Sequence, residues 1–93
     1  MRKYFFMTEA DEGEKWIKVS ALDNCKEIEC GRIQLAKNSV ISWNVSIVNP
    51  NGHKVELKEC GLEEMTRALL AEITIDDFIS LNHAMFVYGR LVG

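Results

Sequence analysis

By residue type, chemistry in this chain would fall first to its three cysteines and two histidines. Cys25 and Cys30 are separated by four residues, a spacing just within what one half of a tetrahedral zinc site tolerates. The other half would have to come from His53 and Cys60. These lie seven positions apart, about 23 Å along an extended strand at roughly 3.3 Å per residue. They cannot share one metal, so no metal is expected. A nucleophilic cysteine needs a positioned base, and no motif surrounds any of the three. Cys60 precedes a helix starting near Leu62, whose dipole could lower its pKa, but Glu59, Glu63 and Glu64 push the other way. Cys30 is expected in the core, where a free cysteine behaves as a small hydrophobe. His53 is expected to be exposed and His83 to be a packed or surface residue.

Paired carboxylates occur at Glu63-Glu64 and Asp76-Asp77. Neighbours on a helix point about 100° apart, so neither pair converges as an acid/base dyad must. Both suit a first helical turn instead. No glycine-rich run between a strand and a helix offers a phosphate cradle. Trp16 and Lys18 share a strand face, a fragment of the aromatic and basic pattern by which sheets bind RNA; Trp16 is expected to cover the edge of the core. No cofactor is implied, and the chain reads as non-enzymatic.

The elements that would hold these residues are legible. Ninety-three residues, 47% hydrophobic and 27% charged, are enough for one domain with one core. The central stretch, Ser39 to Glu59, reads as a hairpin: Ile41, Trp43, Val45 and Ile47 alternate with polar residues. Asn49-Pro50-Asn51-Gly52 carries the chemistry of a type I turn closed by a glycine bulge. That turn pairs Asn49 with His53 and sets Ile47 opposite Val55 and Val45 opposite Leu57. Upstream, residues 2–8 suggest a strand, Glu9–Glu14 a solvated acidic loop and Lys15–Ala21 a second strand. Leu22-Asp23-Asn24 reads as a turn. Glu27–Leu35 alternates but changes phase at Gly31, the mark of a bulge. Lys37-Asn38 reads as a tight link into the hairpin.

At Gly61 the period changes. Leu62, Met65, Leu69 and Ile73 fall at helical spacing. Thr74 and Asp77 resemble a capping box that opens a second helix, with Phe78, Ile79, Leu81, Met85 and Phe86 as its apolar residues. Two readings remain for residues 84–92. Gly89 could cap a helix running from Ile75 to Tyr88, or Met85–Tyr88 and Leu91-Val92 could form a last strand beside residues 2–8. The fold expected is α+β, an antiparallel meander of about five strands with two C-terminal helices on one face.

Net charge is −3, short of the basic footprint that nucleic acid demands, so nucleic acid is an unlikely ligand. Met1–Met7 begins like a signal peptide but meets an acidic run after four apolar residues. No segment approaches a membrane span. An odd number of cysteines suits a reducing, cytoplasmic setting better than a secreted framework. Glu59, Glu63, Glu64, Glu72, Asp76 and Asp77 face a single base, Arg67, across the helical region. The expected function is protein–protein contact, with another protein, one bearing a basic surface, or with a second copy as a homodimer. Its surface would comprise Glu63, Glu64, Asp76, Asp77, Phe78, Ile79, Met85 and Phe86. Two alternatives are an inhibitor of a nucleic-acid-processing complex, of the kind mobile elements encode, and a sheet-based nucleic-acid or small-ligand binder using Trp16 and Lys18.

Overall fold

The computed structural model describes residues 3–92. Five strands run in chain order, β1 (Lys3–Asp11), β2 (Glu14–Asp23), β3 (Lys26–Leu35), β4 (Trp43–Val48) and β5 (Lys54–Cys60), followed by α1 (Leu62–Leu70) and α2 (Ile75–Val92). Every strand pairs antiparallel with its chain neighbour, giving the sheet order β1-β2-β3-β4-β5. This is the expected α+β meander. Arg2, at the head of the expected first strand, lies outside the described residues.

The first two hairpins are tighter than their composition suggests. Asp11 pairs with Glu14 across a two-residue turn in which Glu12 and Gly13 both take positive φ. The acidic stretch is therefore mostly strand. Asn24 and Cys25 make the same kind of turn between Asp23 and Lys26. Two central residues with positive φ give a type I′ turn, whose twist matches that of the flanking strands.

The central hairpin has the expected register: Ile47 opposite Val55 and Val45 opposite Leu57. Asn49 N–H donates to the His53 carbonyl at 2.8 Å, and Gly52, at φ +89°, donates to the Asn49 carbonyl at 2.8 Å. Its entry differs from expectation. Ile41 stands outside the sheet, 76% exposed, and β4 begins at Trp43. Residues 36–42 form a loop in place of a tight link, closed by Ala36 N–H to the Ser42 carbonyl. The Ser39 hydroxyl accepts from the N–H groups of Ile41 and Ser42, an ST-turn that competes with the ladder for these donors.

The phase break at Gly31 is a bulge: Val19 faces Gly31 and Ser20 faces Glu29, leaving Cys30 as the extra residue. A Cβ at position 31 would run into the Ser46 carbonyl, so only glycine lets β4 approach there. A side-chain network links β1 to the turn after β4. Tyr4 Oη donates to Asn49 Oδ1 at 3.0 Å, and Asn49 Nδ2 donates to Glu72 Oε2 at 2.6 Å.

The core lies between the sheet and the helices. Tyr4, Ile17, Val19, Ile33, Val45 and Ile47 form its floor, with Met65, Leu69, Leu81, Ala84 and Tyr88 above. α1 packs on β5 and β4, and α2 lies across β1 and β2. Tyr88 anchors the far end of α2. Its hydroxyl accepts from Leu35 N–H at 2.8 Å and its ring tilts against Trp43, centroids 5.8 Å apart.

Residues 84–92 are helical, and no sixth strand forms among the described residues. Gly89 does not end α2, which continues to Val92. A glycine inside a helix costs about 0.5–1 kcal/mol relative to alanine. Nothing in the chain's own packing demands one, since a Cβ at 89 would meet nothing within 4 Å.

Candidate functional site

The cysteines and histidines do not form a chemical centre. Cys25 is exposed in its turn, whereas Cys30 and Cys60 are both buried. Burial pushes the Cys60 thiol above its ordinary pKa, and the Glu64 carboxylate adds to that shift. This is the reverse of an activated thiol. His53 is not simply exposed: its Nδ1 contacts Glu72 Oε1, joining the Tyr4–Asn49–Glu72 network. His83 lies exposed on α2. Among the described residues no group of three or more His, Cys, Asp or Glu is placed to hold a metal. No helix among them is long and apolar enough to cross a membrane.

The face of the sheet away from the helices is open. Trp16 lies there, half-buried under the Arg32 guanidinium, 4.2 Å from the ring centroid, and does not cover the edge of the core as expected. Lys18 pairs with Glu9 at 3.5 Å. The hollow beside Trp16, about 430 Å³, is otherwise lined by Asp11, Glu12 and Glu14. Those carboxylates repel phosphate. A shallow groove of about 490 Å³ crosses the same face over β3, β4 and β5, where Arg32 and Lys58 mix with Gln34, Asn44, Ser46 and Glu56.

The acidic residues of the helical region serve several ends. Asp77 is 4% exposed, so it is no surface acid. Its N–H donates to Thr74 Oγ1 at 3.1 Å, the forward half of a capping box. Its carboxylate turns instead to β1 and accepts from Tyr4 N–H at 3.4 Å. In a two-residue hairpin closed at Asp11 and Glu14, the even-numbered residues of β1 point their backbone groups out of the sheet edge. Asp77 thus covers part of that edge. Glu72 belongs to the Asn49 and His53 network. Glu63 is exposed and paired with Arg67 at 3.2 Å, one turn along α1. Glu59, Glu64 and Asp76 complete the six, all exposed.

The five apolar residues expected to line α2 separate into three groups, while Val87, Leu91 and Val92 beyond them are exposed. Leu81 is fully buried and forms, with Asp77, Ala84 and Tyr88, the stripe that rests on the sheet. Phe78 and Met85 are half-buried and pack against the core beside it. Ile79 and Phe86, 61% and 63% exposed, face away. Ile75, 72% exposed and not among the apolar residues expected to form the surface, joins them. At 3.6 residues per turn, Ile75, Ile79 and Phe86 fall within about 40° of one another, diametrically opposite the buried stripe. The Arg90 guanidinium sits 5.8 Å from the Phe86 ring centroid, and Gly89 flanks the same stripe.

Comparison with known proteins returns no match, whether against family models, curated proteins or solved structures.

Proposed function

We infer that this is a non-enzymatic interaction module that works by presenting the outward face of α2 to another protein. One observation carries the reading: Ile75, Ile79 and Phe86 align on a helix face that no described residue covers. Single exposed hydrophobics are ordinary, but three in register along two-thirds of one helix form a patch. Aromatic and aliphatic anchors of this sort, ringed by polar residues, are the usual centre of a protein interface. The Phe86 ring with Arg90 against it has that composition. The odd number of cysteines suits a reducing, cytoplasmic setting.

Of the two alternatives, inhibition through an acidic surface has less to draw on, because Asp77 and Glu72 are engaged within the fold. The sheet-based binder has Trp16, but in acidic company. The test is Phe86→Glu, compared with wild type in affinity capture from the native host lysate and in size-exclusion light scattering. Capture or self-association should be lost while the helical signal is retained. If oligomeric state, captured proteins and stability all stay unchanged, the reading is wrong.

A further inference from the structure

We propose that the occupant of this face is a second copy of the chain, with two α2 helices docked antiparallel about a twofold axis near Asn82 and His83. The inference rests on the reading of α2 as a protein-contact surface and names the partner. Its warrant is the order of residues along the helix. Ile75 and the exposed acid Asp76 lie at the N-terminal end of the outward face, Ile79 follows, then Phe86, and the base, Arg90, stands at the far end. Reversing the helix about its midpoint sets Ile79 against the partner copy's Phe86 and Asp76 beside its Arg90. The face is complementary to itself, as an isologous interface must be. Its charge order also disfavours the parallel arrangement, which would put acid on acid and base on base.

Gly89 supplies an independent reason. It stands inside a helix, exposed, with open space where its Cβ would be. The fold of one copy gives no cause for a glycine there. In the antiparallel pair it comes beside the first turn of the second helix, where the missing side chain allows Ile75 of that copy to approach the backbone. Small residues at a helix crossing shorten the distance between axes.

A single pair of helices makes a modest interface, so the dimer should dissociate in the micromolar range, on the order of 10 µM. Sedimentation equilibrium on the full chain, over a concentration series up to about 1 mM, reads this directly. Phe86→Glu and Ile79→Arg should leave monomer only. Asp76→Arg and Arg90→Asp should each weaken self-association about tenfold, because every dimer contains the pair twice. The double variant Asp76→Arg/Arg90→Asp should return to within about threefold of wild type. An equimolar mixture of the two single variants should associate better than either alone, since each supplies the charge the other lacks. Gly89→Leu should weaken the dimer while circular dichroism stays unchanged.

Wild-type monomer throughout the series would overturn self-docking, while Phe86→Glu in lysate capture would still decide the broader reading. A dimer untouched by Phe86→Glu and Ile79→Arg would place the contact elsewhere and overturn the proposal. A mixture no better than the single variants would do the same.

Discussion

The two helices lie on the same sheet and solve the problem of their outer faces in opposite ways. α1 buries Met65 and Leu69 and turns the Glu63–Arg67 ion pair to water. Leu62 and Leu70, both exposed, flank that ion pair. α2 buries Asp77, Leu81, Ala84 and Tyr88, and opposite them carries Ile75, Ile79 and Phe86. One helix centres its outer face on an ion pair. The other is apolar on both sides, a pattern normally met where a helix is covered on both sides. The contrast separates burial needed for folding from surface kept for something else.

Substitution can break this distinction. Leu81→Ala removes a fully buried side chain and should cost about 2–5 kcal/mol in denaturant unfolding. Ile79→Ala, two residues away, should change the dilute monomer's stability by less than about 0.5 kcal/mol. Equal losses would mean that the outward face is structural. Asp77→Ala should cost about 1–3 kcal/mol, since it removes a buried acceptor from Tyr4 N–H, and Asp77→Asn should recover part of that. Gly89→Ala should stabilise the monomer by about 0.5–1 kcal/mol, seen as a higher Tm at low concentration. Destabilisation there would show that the glycine serves the fold itself. Arg67→Ala should cost less than about 0.5 kcal/mol, as an exposed one-turn ion pair on α1 contributes little.

The parts of the fold open to sequence reading were those governed by local rules. Asn49-Pro50-Asn51-Gly52 specifies its turn, and with a strict period of two the turn fixes which side chains of β4 and β5 face each other. Gly31 announced its bulge through a change of phase. Ile41 escaped because alternation continues past the point where the Ser39 hydroxyl takes up the next backbone donors. Residues 84–92 were open between helix and strand because a short apolar run suits both. Contacts with distant strands decide it, through Ala84 and Tyr88 on the sheet. Of the residues expected to form a contact surface, Asp77 is buried and Phe78 and Met85 are half-buried against the core. Asp77 looked like a first-turn surface acid because its partner, Tyr4, lies 73 residues away in sequence. Phe78 and Met85 looked like Ile79 and Phe86 because composition cannot say which side of a helix meets a sheet.

The hydrogen bond from Tyr4 to Asp77 also orders events while the chain is being made. β1 emerges from the ribosome early, and the carboxylate that covers its edge belongs to a helix that emerges after all five strands. The nascent sheet therefore carries an open edge at Tyr4 until α2 docks, and an open edge invites pairing with another nascent chain. Slow synthesis through residues 60–77 would lengthen that interval and raise aggregation without altering the finished protein.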